Sequence, residues 1–515
     1  MTSWPTSGRR STRHEGVPGV SDKHDAYPVR PSEETLDPED WESARALGHR
    51  MLDEMVDHLR GRRDAPIWRR VPEEVRARLR SPLPLEPRSQ EEVFETFRRD
   101  VLPYPLGNTH PRFWGWVIGS GTATGMLAAL AEAAINTPAG GYDQAATYVE
   151  RQVIDWLKEA MGFPSDASGL LVSGGSMANL VGLTVARSAK AGFDIRRDGV
   201  RGFRGEPVVY ASVETHSSVA KGMELLGMGH QALRRIPVGP DYRIDLRALE
   251  AELASDRAAG RQPLALVGNA GTVNTGAIDD LEALAAIAKR EGIWFHVDGA
   301  FGAIAALAPD LRPALKGMEK ADSLAFDLHK WLHAQYDAGC VLVRREEDHR
   351  AAFGGMPHYL AGTERGIVGQ VRWFNEYGVD LSRRFRALGP WMAFQVHGLA
   401  KFGRLARQNV EQARTLARLV EASADLELMA PAPLNVVCFR FTGGRPDASD
   451  LDALNLETML RLQEEGIAIP SSTLLNGRFV LRVAITNHRT RTADVELLAR
   501  EVVRIGREIR GEGTQ

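Results

Sequence analysis

The chain has 515 residues, of which 43% are hydrophobic and 25% charged, and its formal net charge is −3. This length predicts two or three structural parts with sizeable cores. The near-neutral charge balance gives no reason to expect nucleic acids or membrane surfaces as partners. Only two cysteines occur, Cys340 and Cys438, each within an apolar run. This usage excludes a disulfide framework and indicates buried thiols in a reducing compartment.

The first 36 residues are rich in Ser, Pro, Arg and Asp and contain no apolar segment of the kind found in signal peptides. Interspersed acidic residues also disfavour a transit peptide. We therefore predict that residues 1–36 form a disordered extension. No apolar run of 18 residues occurs in the sequence, which predicts a cytoplasmic protein without membrane spans.

Residues 37–119 are predicted to form a helical arm. Within residues 37–63, apolar side chains such as Leu47, Met51 and Met55 recur at spacings of three to four, as in an amphipathic helix. A proline-rich connector at 81–87 precedes a second amphipathic stretch, EEVFETFRRDVL. Because the arm has an apolar face and precedes any strand, we expect it to pack against another part of the protein.

Residues 120–395 alternate short apolar runs with helical stretches, and residues 396–515 read as a smaller α+β domain. The apolar runs are 169–173, 207–212, 264–271, 293–298, 323–327 and 340–345. Strands buried on both faces and separated by helices predict a large, mostly parallel α/β sheet covered by helices on both sides.

The turn after the first apolar run, SGGSMANL, opens a helix. Ligands of open parallel sheets bind at the carboxyl ends of the strands. Glycines allow close backbone approach, and the N–H groups of a helix N-terminus bind phosphate. Gly175 and Ser176 are therefore candidate phosphate contacts, although an ordinary strand–helix turn explains the motif equally well.

Two further strand ends carry polar side chains. His216 follows the run at 207–212 and lies next to a predicted helix start, and Thr272 follows the run at 264–271. Either residue can contact a ligand at the sheet edge. Taken alone, the histidine is more often structural or simply exposed, and the threonine can be an ordinary turn residue.

Asp298 ends the buried run at 293–298, where an unpaired carboxylate is costly. It therefore needs a cationic partner, and both a protonated pyridine nitrogen and a nearby arginine meet that need. The small residues Ala300 and Gly302 follow, as expected where a flat ring lies close to the backbone.

Lys330 follows the buried run at 323–327 and precedes Trp331 and Leu332. An apolar surround favours the neutral amine, which can form an imine with an aldehyde. Most lysines are solvated surface charges, but this position after a buried strand disfavours that interpretation. The order of a phosphate turn, a histidine, a hydroxyl, a strand-end aspartate and a lysine is more specific than any single element.

The residues that carry a family resemblance extend over about 37–500. They are HPRFWGW (110–116), YVERQVIDWLKEAMGFP (148–164), SGGSMANL (173–180), THSSVAKG (215–222), AGTVNTGAIDD (270–280), HVDGAFG (296–302), ADSLAFDLHKW (321–331), SRRFRALGPW (382–391) and RFVLRVAITN (478–487). The chain resembles the group II pyridoxal-phosphate decarboxylases, which include the aromatic-L-amino-acid, glutamate and histidine decarboxylases. The resemblance implies an aspartate-aminotransferase-type fold (fold type I) and an obligate homodimer with active sites at its interface.

The resemblance also implies roles for individual residues toward pyridoxal 5′-phosphate. Lys330 matches the imine-forming lysine, Asp298 the partner of the pyridine nitrogen, His216 the ring-stacking histidine, Ala300 a small residue beneath the ring, Thr272 a contact near the ring hydroxyl, and Gly175, Ser176 and His329 phosphate contacts. Tyr359 matches the tyrosine of the catalytic loop that protonates the substrate after carbon dioxide leaves.

Two segments depart from the family pattern. GWVIGSGTATG lacks the proline and threonine expected in animal aromatic decarboxylases, and Asp327-Leu328 replaces the usual Asn-Pro before the His-Lys pair. The first departure leaves the substrate open, and the second bears on phosphate binding.

The predicted function is decarboxylation of an L-amino acid, with an aromatic substrate favoured by Phe113, Trp114 and Trp116. A decarboxylase of acidic amino acids is the alternative for the substrate. An aldehyde synthase or a transaminase is the alternative for the reaction, and Tyr359 argues against the synthase because such relatives carry phenylalanine there. A non-enzymatic cofactor-binding protein is a further alternative, which the presence of the lysine, aspartate and tyrosine disfavours.

Overall fold

A computed structural model describes residues 34–355, 365–368 and 372–511. The chain divides into two compact units, residues 1–52 and residues 53–515. In the first unit, residues 34–52 are described and contain the beginning of the first helix. Both β-sheets belong to the second unit. The predicted boundaries at residues 36, 119 and 395 stay predictions.

Helices make up most of the regular structure. They are α1 (Trp41–Arg60), α2 (Glu73–Arg78), α3 (Gln90–Asp100), α4 (Ala123–Ile135), α5 (Ala145–Met161), α6 (Gly175–Lys190), α7 (Ile195–Asp198), α8 (Ser217–Leu225), α9 (Leu246–Ala258), α10 (Leu281–Glu291), α11 (Glu346–Phe353), α12 (Leu388–His397), α13 (Leu399–Glu421), α14 (Leu451–Glu464) and α15 (Thr492–Ile509). Short 3₁₀ helices lie at Gly199–Gly202, His230–Ala232, Gly302–Leu307, Arg312–Leu315, Met318–Lys320 and Phe374–Glu376.

The larger sheet has seven strands in the order β1-β7-β6-β5-β4-β2-β3. Its strands are β1 (Ser168–Val172), β2 (Pro207–Ser212), β3 (Leu233–Ile236), β4 (Gln262–Asn269), β5 (Trp294–Asp298), β6 (Ser323–Asp327) and β7 (Gly339–Val343). Strand β7 is antiparallel to both of its neighbours, β1 and β6, and the remaining pairs are parallel. The prediction of a mostly parallel sheet in a fold type I arrangement is confirmed.

All six predicted strands of this sheet are present. The seventh, β3, was not predicted from the sequence. It has four residues, LRRI, and two of them are arginines, so no apolar run marks it. Among the described strands it lies at the edge of the sheet and pairs with β2 alone. An edge strand has one neighbour and tolerates charged side chains.

A smaller antiparallel sheet has the order β10-β11-β9-β8. Its strands are β8 (Leu426–Leu428), β9 (Val436–Phe441), β10 (Ser471–Leu475) and β11 (Arg478–Ala484). Helices α13, α14 and α15 pack against one another or against these strands. A separate apolar core lies here and includes Phe439, Phe441 and Leu481. The C-terminal α+β pattern expected from the sequence is therefore observed.

The topology gathers several strand ends at one edge of the larger sheet. Because β7 is antiparallel to both neighbours, β1 and β6 run parallel to each other and to β5, β4 and β2. Their carboxyl ends meet at one edge, and α6 and α8 begin close to it, after β1 and β2. This edge is where an open α/β sheet binds its ligands.

Within the residues that the structure describes, none of the helices has the length and apolar character that a membrane span requires. Within the same residues, no group of three or more His, Cys, Asp or Glu side chains is arranged to hold a metal ion.

Candidate active site

A cavity of about 440 Å³ lies at the carboxyl edge of the larger sheet. Seven of the residues predicted from the sequence line it: Gly175, Ser176, His216, Asp298, Ala300, His329 and Lys330. They come from four different strand–helix or strand–loop connections. The topology therefore brings together side chains and glycines that lie up to 155 positions apart in the sequence (330 − 175).

One end of the cavity is built for a phosphate. Helix α6 starts at Gly175, and its first N–H groups have no side-chain cap. A Cβ atom on Gly174 would lie 3.1 Å from His329 Cε1, and one on Gly175 would lie 3.0 Å from Asp327 Oδ2. Glycine at these two positions keeps the turn open, so that backbone donors can approach an anion.

His329 lies buried beside this turn, with its side chain only 9% exposed. The Ala338 N–H donates to His329 Nδ1 at 3.2 Å, and burial lowers the pKa of His329 below its ordinary value. The ring is therefore neutral near pH 7, and its proton is on Nε2, where it can be donated to an anion. The Tyr336 ring packs against it, with ring centroids 4.3 Å apart.

Lys330 faces the carboxylate of Asp327. Lys330 Nζ lies 2.9 Å from Asp327 Oδ2, and the lysine side chain is 22% exposed. Asp327 is itself buried, and its Oδ1 has no hydrogen-bond partner among the described residues. The sequence predicts that Trp331 forms part of an apolar surround for the lysine. Instead, the Trp331 indole is turned into the core, where Nε1 donates to Asn409 Oδ1 at 2.9 Å.

Asp298, the last residue of β5, is a buried carboxylate with two neutral donors. Asn179 Nδ2 donates to its Oδ2 at 2.9 Å, and the Ala300 N–H donates to its Oδ1 at 3.1 Å. Among the residues that the structure describes, no arginine or lysine forms an ion pair with it, so the arginine alternative finds no support. A buried carboxylate open to the cavity fits a protonated ring nitrogen.

His216 caps the start of α8 with its own ring. The Ser218 N–H donates to His216 Nδ1 at 3.2 Å, and Ser218 Oγ lies 2.8 Å from the same nitrogen. The Nδ1 edge is thereby held by the helix, and His216 is one of the residues that line the cavity. Such a fixed ring suits contact with a flat ligand.

Thr272 is not brought to the cavity wall with the other predicted residues. Its side chain is buried, and its Oγ1 contacts Thr275 Oγ1 at 3.1 Å and accepts from the Ala277 N–H at 3.2 Å. Gly271 and Val273 on either side of it line the cavity instead. Thr272 therefore stabilises its own turn. Tyr359 lies outside the described residues.

The aromatic residues near the cavity have different surroundings. Trp116 lines the cavity and is 54% exposed. Phe113 is buried in a small cluster with Ile67 and Ile469. Trp114 lies in the core of the smaller sheet, and its Nε1 donates to Thr490 Oγ1 at 3.1 Å. Of the three aromatics singled out in the sequence, Trp116 is the one at the cavity.

Five polar residues that line the cavity were not assigned a role from the sequence: Ser173, Asn179, Ser218, Asn269 and Asp327. Asn179 contacts Asp298, and Asp327 contacts Lys330. Asp327 had been noticed only as a departure from the family pattern. Asn179 could have been suspected, because it follows Gly175 by one helical turn and an inward-facing asparagine in a helix needs hydrogen-bond partners.

The fold and the cavity define a class of protein. Pyridoxal 5′-phosphate fits four features of this structure together. They are a seven-stranded sheet of this topology, a glycine turn at a helix N-terminus, a strand-end aspartate and a lysine in the cavity. The backbone N–H donors of the glycine turn match its phosphate, and the buried aspartate matches its pyridine nitrogen. The lysine amine matches its aldehyde. The chain thus has the features of a pyridoxal-phosphate enzyme of fold type I.

Comparison with known proteins identifies the family. Residues 72–442 match the pyridoxal-dependent decarboxylase conserved domain. The chain is 35% identical to an aromatic-L-amino-acid decarboxylase of Bacillus atrophaeus over 91% of this chain and 96% of that protein. It is 28% identical to a phenylacetaldehyde synthase of Arabidopsis thaliana over 88% of this chain and 94% of that protein.

A solved structure agrees with these relatives. The crystal structure of an Oryza sativa TDC with PLP and tryptamine has a TM-score of 0.84 and 28% identity, and the match covers 92% of this chain and 100% of that one. The chain belongs to the pyridoxal-dependent decarboxylase family. It is accordingly a carboxy-lyase that uses pyridoxal 5′-phosphate.

Proposed function

We propose that this enzyme decarboxylates an aromatic L-amino acid to the corresponding amine and carbon dioxide, with Lys330 holding the cofactor. The observation that carries the proposal is the shared cavity of Lys330, Asp298 and His216. This chemistry requires a lysine amine, a buried carboxylate that can pair with the ring nitrogen, and an imidazole held in a fixed position.

Each end of the cofactor has a matching group. Lys330 would hold it covalently through Nζ, and Gly175, Ser176 and His329 would bind its phosphate. Asp298 would bind its ring nitrogen, and His216 and Ala300 would contact its ring. When bound, pyridoxal phosphate supplies the electron sink for the pair of electrons released as the Cα–carboxylate bond breaks.

The protein's own groups control where protons lie during this reaction. The Asp298 carboxylate keeps a proton on the ring nitrogen, because a buried anion stabilises the charged form of its partner. Tyr359 delivers a proton from its hydroxyl to the substrate Cα after carbon dioxide has left, which completes the amine. For Tyr359 this assignment rests on the family resemblance alone.

The aromatic substrate is supported by one side chain and by the relatives. Trp116, which lines the cavity next to Val117, offers a broad apolar surface to a ring. The Bacillus relative is an aromatic-L-amino-acid decarboxylase, and the Oryza sativa structure contains tryptamine. An acidic substrate would require a cation in the substrate part of the cavity. Among the described lining residues, Lys330 is the one lysine or arginine, and it is reserved for the cofactor.

An aldehyde synthase is the second candidate, favoured by the phenylacetaldehyde synthase among the relatives. Synthases of this family carry phenylalanine where this chain has Tyr359, so the decarboxylase is preferred. We further propose that the enzyme acts as a homodimer in the cytoplasm.

A substrate screen tests the proposal. The purified holoenzyme is incubated with each of the twenty amino acids under air, and carbon dioxide, amine, aldehyde and ammonia are measured. The expected result is carbon dioxide with an equal amount of amine from tryptophan, tyrosine or phenylalanine, and no product from a Lys330→Ala control. Release from glutamate or aspartate alone would contradict the aromatic assignment, and aldehyde with ammonia would favour the second candidate.

A further inference from the structure

We propose that Asn179 is a positioning residue that fixes the Asp298 carboxylate and the His216 ring in a single arrangement. It does so at the centre of a buried hydrogen-bond network that ends at Trp294. The inference rests on the proposed function, since Asp298 and His216 are assigned there to the cofactor ring.

The inner half of the network joins Asn179 to both groups. Asn179 is 1% exposed. Its Nδ2 donates to Asp298 Oδ2 at 2.9 Å and to Ser218 Oγ at 3.0 Å, so both amide hydrogens are used. Because Ser218 Oγ accepts from Asn179, its own proton is available to His216 Nδ1, which lies 2.8 Å away.

The outer half determines which way the amide of Asn179 faces. The Trp294 indole N–H can only donate, and it does so to Ser323 Oγ at 2.8 Å. Ser323 Oγ lies 2.7 Å from His296 Nδ1 and donates to it, and His296 Nε2 lies 2.9 Å from Asn179 Oδ1. His296 therefore carries its one proton on Nε2 and donates it to the amide oxygen.

The charge state of His296 agrees with this arrangement. The ring is fully buried, and burial lowers its pKa well below the ordinary value. A neutral ring has one donor and one acceptor nitrogen, as the two contacts require. A flipped amide would direct Asn179 Oδ1 at the Asp298 carboxylate, so that two acceptors would face each other. The network thus has one consistent proton arrangement.

The backbone leaves room for this network at one particular glycine. Gly182 follows Asn179 by three residues on α6, and a Cβ atom there would lie 2.6 Å from His296 Cε1. Helix α6 also begins at Gly175, in the phosphate turn. One helix therefore carries both the phosphate end of the cavity and the residue that orients Asp298. The members of the network other than His216 are buried and hydrogen-bonded to one another, and such an arrangement holds side chains rigidly.

Asparagine is the side chain of this size that meets all three demands, with two donors and one acceptor. Leucine has a similar size but no polar atoms. Aspartate has the same shape, but it lacks the donors and would put a second carboxylate 2.9 Å from Asp298. Asn179→Leu therefore removes all three hydrogen bonds, and Asn179→Asp removes the two that Asn179 donates, both with little change in volume.

The test compares these two holoenzymes with Thr184→Val. Thr184 also lies on α6, and its hydroxyl donates to Leu180 O within the helix, so it is a matched polar-to-apolar control. Three quantities are measured: the cofactor dissociation constant, the visible circular dichroism per bound cofactor, and kcat with KM.

We expect both Asn179 variants to bind the cofactor and to lose at least about half of the dichroism, because the ring is held less rigidly. Their kcat should fall about 10- to 100-fold while KM changes by less than about threefold. Thr184→Val should match the wild type in its cofactor dissociation constant, its visible circular dichroism and its kinetic constants. Ser218→Ala removes only the branch to His216, and its kcat should fall by a smaller factor than in Asn179→Leu.

Asn179 variants with the dichroism and kcat of Thr184→Val would overturn the inference, even if their thermal stability were lower. If Asn179→Leu fails to fold, the result for Asn179→Asp tests the inference, because the aspartate side chain keeps an oxygen that accepts from His296. A wild-type protein that fails to bind the cofactor would contradict the proposed function instead. The two failures are therefore distinguishable.

Discussion

Asp298 combines burial, negative charge and neutral hydrogen-bond donors at the end of β5. Asp298→Asn keeps the shape and removes the charge that holds a proton on the ring nitrogen. We expect kcat to fall about 100-fold or more, while the cofactor still binds covalently to Lys330. Turnover is measured with the preferred substrate, and cofactor attachment by borohydride trapping and mass spectrometry. Near-normal turnover in the asparagine variant would contradict the role of Asp298.

Asp327 places a second carboxylate in the cavity, beside the phosphate turn. Its Oδ2 would lie 3.0 Å from a Cβ atom on Gly175, so its charge is close enough to repel a phosphate. We predict that Asp327→Asn strengthens the binding of pyridoxal phosphate about tenfold relative to pyridoxal, which lacks the phosphate. Dissociation constants of both ligands are measured by absorbance titration of the apoenzyme. An equal change for both ligands would mean that Asp327 acts on Lys330 and not on the phosphate.

Tyr359 is assigned as the proton donor to the substrate Cα by family resemblance. Tyr359→Phe removes the acid and should leave cofactor and substrate binding intact. With no proton delivered, oxygen can react at the electron-rich Cα, and the product should shift from amine to aldehyde, ammonia and hydrogen peroxide. The measurement is product analysis under air, compared with the wild type. Unchanged amine production would indicate another donor, for example the adjacent His358.

The close packing of α13 against a neighbouring 3₁₀ helix depends on a glycine in α13. A Cβ atom on Gly403 would lie 2.2 Å from Leu307 O, at the end of the 3₁₀ helix Gly302–Leu307 that follows β5. Gly403→Ala should therefore lower the free energy of unfolding by about 1–3 kcal/mol. Denaturant unfolding measures this change.

Gly389 in α12 provides a matched control for this substitution. Apart from its chain neighbours and the backbone of its own helix, no heavy atom of the described residues lies within 4 Å of the position of its Cβ. Gly389→Ala should therefore leave the free energy of unfolding within about 1 kcal/mol of the wild type. Equal stability of the two alanine variants would show that α13 and the 3₁₀ helix can separate without cost.

Exposed apolar side chains on α4 and α12 support the proposed homodimer. These helices pack together, and Leu130, Ile135 and Val396 on them are 59%, 58% and 62% exposed in the single chain. Large apolar side chains that are exposed on neighbouring helices are typical of an interaction site. We predict a dimer in light scattering, and Leu130→Lys should shift it toward monomer with loss of activity.

Leu225, at the end of α8, is 74% exposed and serves as the control, since Leu225→Lys should leave the dimer intact. The predicted helical arm bears on the same question. Deleting residues up to about 100 should give insoluble or inactive protein if the arm contributes to the dimer. A fully active monomer, from either the wild type or the deletion, would contradict the homodimer.

Local patterns in the sequence determined much of this protein. Apolar runs between helical stretches predicted six of the seven strands of the larger sheet, because a buried strand must be apolar on both faces. The ends of those strands predicted six residues of the cavity, because parallel strands place their carboxyl ends at one edge, and the family resemblance added His329. The family motifs then specified the cofactor and the reaction.

The tertiary structure decided what depends on contacts between distant residues. Asn179 and Asp298 are 119 positions apart, and no spacing rule connects them. Thr272 contacts its own turn, and the indole of Trp331 is turned toward α13, because each polar atom takes the partner that packing offers. Sequence periodicity specifies which side chains are buried. Their hydrogen-bond partners are determined only when the strands and helices pack together.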